Sequence, residues 1–351
     1  MTGSWFEYVV VLLVSGLVCT LLTPVAMAVA TRVGFFDNPG GHKSHESPVP
    51  YLGGVAIVMA FAASVIGAAI LKPPVSGRDE LVVVLLLAVG LALIGLLDDL
   101  RNLPPIVRLT VEVLFALQLW RMGTGVQVTG ESVLDILLTV VWVVGITNAF
   151  NLLDNMDGLA AGQAAICAMV IFAVAVANGQ VLVAALAVAL VGCAVGFLRH
   201  NFHPARVYMG DGGALFLGFL IAYLGMKLRF ESSVSESFLV PVLICSIPVL
   251  DTSLVTFSRL STGRSPFNGG RDHISHRLVH SGMPVPVAVG ATYAASAIIG
   301  VVCFVVSRVD PVSAWILSLL VGTTLVLGGI LLAFVPVYPE STRRHFSITE
   351  H

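Results

Sequence analysis

Eleven long apolar segments follow one another along 351 residues, and they leave almost no room for anything else. They run over about 6–30, 52–72, 80–97, 106–122, 132–149, 158–177, 180–198, 212–229, 238–257, 285–307 and 312–336. Only 11% of the residues are charged and 57% are hydrophobic, where a soluble domain is about a quarter charged. The pattern predicts an all-α, polytopic integral membrane protein with about 11 transmembrane helices (10–11). No long soluble domain fits between the segments. Residues 1–336 are expected to form a single transmembrane domain and 337–351 a short tail. The first segment lacks a basic flank, which reads as a first span rather than a cleaved signal. A net charge of −2 gives no basic footprint for nucleic acid. Cys19, Cys167, Cys193, Cys245 and Cys303 each stand alone in an apolar run, as buried small hydrophobes do.

Eleven crossings sort the loops onto two sides. One side holds 31–51, 98–105, 150–157, 199–211, 258–284 and the tail. Assigning each Lys and Arg to its nearer side puts 12 on this side and 6 on the other. All nine His fall there too. Basic residues accumulate on the cytoplasmic side of membrane proteins, so this face is expected to be cytoplasmic, in the inner (plasma) membrane.

The same side collects five polar clusters. "FFDNPGGHKSHESPVPYLGG" (35–54) is a loop rich in Gly and Pro, with Lys43 beside His42 and His45, which would suit an anionic ligand. "LIGLLDDLRNLPP" (93–105) ends a span on adjacent carboxylates, Asp98 and Asp99. Ionisable groups at membrane depth are functional candidates, although one Asp could simply cap the next helix. "NAFNLLDNMDGLAAG" (148–162) repeats Asn or Asp every third residue. If 151–158 began a helix, Asp154 and Asp157 would share a face, and an oxygen-rich face suits a hard cation. "RHNFHPARVYMGDGGALFLG" (199–218) puts Asp211 among glycines at a span entry, where backbone N–H groups can approach a phosphate. "SRLSTGRSPFNGGRDHISHRLVHSGMP" (258–284) carries Arg259, Arg264, Arg271, Asp272, His273, His276 and Arg277. Arginines there could bind phosphate oxygens or anionic lipid.

Acids alone would suggest cation transport, and cations alone an anion site. Together they describe metal-assisted phosphoryl transfer at a bilayer surface. Two rivals remain. A transporter or channel would spread its acids at mid-membrane depth and show inverted repeats. A zinc enzyme could use the three His-x-x-His pairs, 42/45, 200/203 and 273/276, but no Cys lies near them.

In order and spacing the five clusters resemble those of the polyprenyl-phosphate N-acetylhexosamine-1-phosphate transferases, over nearly the whole chain. "HKSHESPVPYLGG" and "SPFNGGRDHISHRL" are most similar to the branch that starts envelope glycans with GlcNAc-1-phosphate. The related phospho-MurNAc-pentapeptide translocase usually has three consecutive histidines, absent here. Asn155 departs from a pattern that often has Gly, Ala214 from one that often has Ser, and the last His pair lacks a neighbouring His common in close relatives. The resemblance implies transfer of N-acetylhexosamine-1-phosphate from a UDP-N-acetylhexosamine to polyprenyl phosphate, releasing UMP, with Mg²⁺ as cofactor and Mn²⁺ as a substitute. It further implies that Asp98 and Asp99 position or deprotonate the lipid phosphate, with the larger effect at Asp98. Asp157 and Asp211 would bind the metal with Asp154 close by, and Asn151 would support nucleotide or metal. Asn201 and Tyr208 would face uracil. Lys43, His45, Arg264, His273 and His276 would contact diphosphate or sugar. The other partners expected are the lipid bilayer and, left open, a second copy in a homodimer.

Overall fold

The computed structural model describes residues 3–37, 48–74, 76–230, 234–266 and 269–337. Each of the eleven apolar segments is helical. They form α1 (Trp5–Val33), α2 (Gly53–Leu71), α3 (Arg78–Arg101), α4 (Pro105–Arg121), α5 (Ser132–Leu153), α6 (Leu159–Ala177), α7 (Val181–Asn201) and α8 (Gly210–Lys227), then a broken pair α9 (Val234–Ile244) and α10 (Ser246–Ser261), then α12 (Val285–Val306) and α13 (Pro311–Ala333). A short helix, α11 (Ile274–His280), lies within the longest loop. The described strands are two residues each, β1 (Phe36–Asp37) and β2 (Val49–Pro50), paired antiparallel. Eight helices are long and apolar enough to cross a membrane by themselves, and the bent pair makes up to nine. The chain is an integral membrane protein.

Central and peripheral helices differ in burial. α7 and α8 are buried along nearly their whole length, with α1, α3, α5 and α6 packed around them. α13 buries three residues and turns Val312, Leu319 and Leu331 outward. Such an apolar exterior is stable only against lipid.

Small residues let α8 come close to its neighbours. A Cβ on Gly95 of α3 would lie 2.5 Å from Gly212 N, and one on Gly54 of α2 would lie 2.5 Å from Gly213 N. Those contacts put the ends of α2 and α3 directly against the N-terminus of α8, which is where the polar clusters meet.

The ninth segment bends by 68°. A proline inside a helix clashes with the carbonyl four residues before it. For Pro248 that carbonyl belongs to Ile244, and the helix breaks at Cys245. The released Ile244 carbonyl accepts from the Cys167 thiol at 3.2 Å.

Candidate active site

The α3–α8 approach sets the first contacts. Gly210 has φ +71°, and Asp211 opens α8. Asp99 Oδ1 accepts from Asp211 N at 3.1 Å, and its Oδ2 lies 3.5 Å from Gly212 N. The positive end of the α8 dipole therefore already faces a carboxylate, Asp99. Asp98, one residue earlier, accepts from Leu103 N at 2.7 Å and from Arg108 Nη1 at 2.8 Å. The same Arg108 Nη1 reaches Asp211 Oδ2 at 2.9 Å. Asn151 Nδ2 donates to Asp211 Oδ1 at 2.8 Å. Three expected site residues, Asp98, Asp211 and Asn151, are thus gathered by an arginine that sequence reasoning did not select. One turn further along α4, Glu112 accepts from Asn148 of α5. A lone Arg and a lone Glu within an apolar segment were the only available signal.

The Asn/Asp repeat is not a continuous helical face. α5 stops at Leu153, and 154–158 form a turn. Asn155 Nδ2 donates to Leu152 O at 2.9 Å, which satisfies an end carbonyl, and Gly158 takes φ +78° before α6 starts. Asp157 Oδ2 is 2.8 Å from His203 Nδ1 and accepts from Ala205 N at 3.0 Å. Tyr208 also hydrogen-bonds to Asp157; burial, then this acid, holds its phenol above the ordinary range. Asn201 is buried, with both ends of its amide on backbone: Oδ1 accepts from Gly158 N at 3.1 Å and Nδ2 donates to Val207 O at 2.9 Å. It ties the Asp157 turn to the Tyr208 loop. Tyr51, also unforeseen, packs edge-on to Tyr208, and its phenol is pushed up by burial and then by Asp99 and Asp211.

Asp154 ends α5 with its carboxyl pushed up to about 8, by burial first and then by Asp211, Asp99 and Asp157. Four carboxylates therefore feel one another across this end of the bundle.

Most of the basic loop is scaffold. Arg259 donates to both oxygens of Asp272 at 2.9 and 2.8 Å, with both residues buried. Arg277 donates to Leu332 O, Ala333 O and Val335 O at the end of α13. Asp251 of α10 is 2.7 Å from His273 Nδ1 and accepts from Ile274 N at 2.6 Å. His276, with ring centroid 5.6 Å from that of His273, is held down to about 4 by burial and by His273. Arg264 is half-buried beside Arg259, its N–H bonded to Arg259 O at 2.8 Å. Ser275 Oγ lies 2.7 Å from Asn155 Oδ1 and brings this segment to the acid turn. Lys43 and His45 lie outside the described residues.

Among the described residues, no three His, Cys, Asp or Glu side chains form a ready-made metal cluster. Acidic oxygen donors of the kind gathered here suit a hard cation such as Mg²⁺, whose shell is usually completed by substrate phosphates and waters. The donors here are oxygen, acidic and mutually repelling. His276 Nδ1 and Glu112 Oε1 are buried without a hydrogen-bond partner.

An apolar groove of about 680 Å³ runs between α5, α9 and α10 from the 125–128 loop and Phe230 to Ala149 in the last turns of α5, with Val141, Trp142 and Ala149 on one wall and Pro241 and Val249 on the other. Val141 and Val249 are exposed on the outer surface, so the groove opens sideways.

The model of glycosyl transferase family 4 matches residues 81–229. The chain is 30% identical over 346 residues to the probable undecaprenyl-phosphate N-acetylglucosaminyl 1-phosphate transferase of Bacillus subtilis, covering 95% of this chain and 92% of that one. The chain belongs to this transferase family. It is also 32% identical over 305 residues to the decaprenyl-phosphate N-acetylglucosaminephosphotransferase of Mycobacterium tuberculosis, covering 76% and 75%. With the phospho-N-acetylmuramoyl-pentapeptide-transferase of Geobacillus kaustophilus it shares 32% over 299 residues, covering 77% and 89%. Membership makes the protein an enzyme, a phosphotransferase, which ends the transporter reading.

Proposed function

We propose that the protein moves N-acetylhexosamine-1-phosphate, most simply GlcNAc-1-phosphate, from a UDP-sugar to a polyprenyl phosphate such as undecaprenyl phosphate, releasing UMP. One observation carries this reading. α5 forms a wall of the sideways-opening groove through Val141, Trp142 and Ala149, and its last turn carries Asn151 and leads into Asp154. A long isoprenoid fits the groove while its phosphate reaches the acids.

Asp211 and Asp157 would hold Mg²⁺, with Asp154 beside them. The ion, when bound, neutralises diphosphate charge. The chain's own residues do the rest. Arg108 and Asn151 fix the Asp211 carboxylate. His203 and Ala205 N fix Asp157. Tyr208 borders the Asp157 side, where uracil would lie, and Asn201 holds that loop. Lys43, His45, Arg264, His273 and His276 serve the diphosphate and sugar. A lipid phosphate oxygen bonds to the sugar-bearing phosphorus, and the bond from that phosphorus to the bridging oxygen breaks as UMP leaves. The proton of a singly protonated lipid phosphate passes to Asp98 or Asp99. Both Asp98 oxygens are committed at 2.7 and 2.8 Å, whereas Asp99 Oδ2 has the longer 3.5 Å contact. That difference favours Asp99 as acceptor and gives Asp98 the positioning role. Holding both substrates at one face supplies proximity, worth roughly 7–11 kcal/mol at best.

The test is purified protein with undecaprenyl phosphate, Mg²⁺ and a panel of UDP-sugars, with UMP as readout. UMP from UDP-GlcNAc is expected, and none from any sugar would discard the reading. The excess of basic residues supports a cytoplasmic site face. A Gly270→Cys variant should stay shielded from an impermeant thiol reagent in intact cells.

A further inference from the structure

The site is made of two arms from distant parts of the chain. One is the acid turn at 154–158. The other is the segment 272–277 that carries His273 and His276. The second arm is anchored to α10 through Asp251, which accepts from Ile274 N and lies against His273, and through the Arg259–Asp272 pair. Ser275 joins it to the first arm. Its Oγ donates to Asn155 Oδ1 at 2.7 Å across 120 residues of sequence. The other end of the Asn155 amide donates to Leu152 O, so the side chain is held at both ends. Ser275 itself is buried. What the contact does is fix the separation between Asp154 and Asp157 on one arm and the two histidines on the other.

We propose that Asn155 and Ser275 are a positioning pair that sets the width of the donor site, and thereby how the sugar-bearing phosphate is gripped between the arms. The proposal rests on the transferase reading above. A donor bridging both arms senses the link, whereas UMP, which lacks the sugar-1-phosphate, does not span it. A hydroxyl–amide bond of this kind contributes a modest net free energy. Its loss should therefore raise the KM and the Kd for UDP-sugar about five- to tenfold, with kcat, the KM for lipid phosphate and the Kd for UMP little changed.

The experiment compares Ser275→Ala, Asn155→Ala, the double variant and Ser275→Thr in the full-length protein. UDP-sugar and UMP binding are measured by calorimetry, and turnover by UMP release. The expected result is a selective rise in UDP-sugar KM and Kd in both single variants, no further rise in the double variant, and recovery in Ser275→Thr, which restores the hydroxyl. Wild-type donor affinity in both single variants would overturn the proposal. So would equal weakening of UMP, or effects that multiply in the double variant. If Ser275→Ala fails to fold, Asn155→Ala against Ser275→Thr decides. A wild-type protein that releases no UMP from any UDP-sugar overturns the transferase reading instead, a result distinct from any pattern among the variants.

Discussion

The two ends of the helix bundle treat buried acids in opposite ways. At the end away from the site, each buried acid has local partners of its own, Asp135 accepting from Val128 N, Thr129 N and the Thr129 hydroxyl. Glu7 pairs with Lys72, and Glu80 pairs with Lys227 at 2.8 Å while also accepting from Thr124 and Tyr223 at 2.6 and 3.1 Å. At the site end Asp98 and Asp211 share one arginine, Arg108, Asp157 lies against His203, and Asp154 feels the charges of Asp99, Asp157 and Asp211. The first arrangement is complete in itself. The second crowds carboxylates whose repulsion a bound cation, or a proton such as the one Asp154 holds, relieves, so it is built for a ligand at some expense of stability.

The sharpest way to break this contrast is to neutralise one acid at each end. Asp211→Asn should lower UMP release by about 10²-fold or more, with membrane insertion intact, because a charge that balances the diphosphate through its cation is lost. It should also abolish the rise in melting temperature that Mg²⁺ gives the wild-type protein, a rise equivalent to about 2.7 kcal/mol at a hundred times Kd. Glu80→Gln should do the reverse, lowering the melting temperature and leaving turnover within about twofold. Equal loss of turnover in both variants would erase the distinction.

Arg108→Met tests the shared cation. It leaves Asp98 and Asp211 facing each other uncompensated, and because these side chains are 14–30% exposed the cost falls short of the about 3–5 kcal/mol of a fully buried pair. The melting temperature should fall without Mg²⁺ and recover in part with it, while turnover falls roughly tenfold. A melting temperature unchanged without metal would show that Arg108 carries no such load.

The smallest effect is on pH dependence. The Asp154 carboxyl sits at about 8, against about 3.9 in an unfolded chain. Between those values the folded state holds a proton that the unfolded state has lost. Its contribution is therefore present below about pH 4 and lost as pH rises through 8. Without metal, stability should decline from pH 5 to 8, and Asp154→Asn should flatten that slope. The far end should contribute no matching slope. A steep slope surviving in Asp154→Asn would assign it to another group.

The architecture was legible because apolar runs of bilayer length have one stable answer, and each of the eleven became helical. The break at Cys245 was harder to see. It needs Pro248 and the Ile244 carbonyl to be considered together, and it needs the Cys167 thiol to satisfy that carbonyl. Within the candidate site, local spacing pointed to Asp98 and Asp99, Asn151, Asp154 and Asp157, and Asp211, which the structure brings to one end of the bundle. Those whose meaning lies in a distant partner were not. Arg108 meets Asp211 across 103 residues, and His203 meets Asp157 across 46. Asp251 is a lone acid in an apolar segment, and only packing shows that it lies against His273. Local repetition also misled, since the Asn/Asp period of three suggested a helix face where Gly158 and Asn155 make a turn. Arg259 and Arg277 stand in a loop whose arginines suited phosphate oxygens or anionic lipid, yet they hold the loop together. Asn155, a departure from the family's usual pattern, acquires a rationale only once Ser275 is beside it.

The groove beside α5 opens through the flank of the bundle, not through its end. If the acceptor enters this way, as proposed above, it never leaves the bilayer, and the enzyme would sense crowding in two dimensions. Spreading a fixed amount of polyprenyl phosphate among more inert lipid would slow the reaction, while diluting the same vesicles with buffer would not. Supply of the acceptor then becomes a matter of traffic within the membrane, set by how quickly carrier molecules diffuse along its plane and how many of them already bear a sugar.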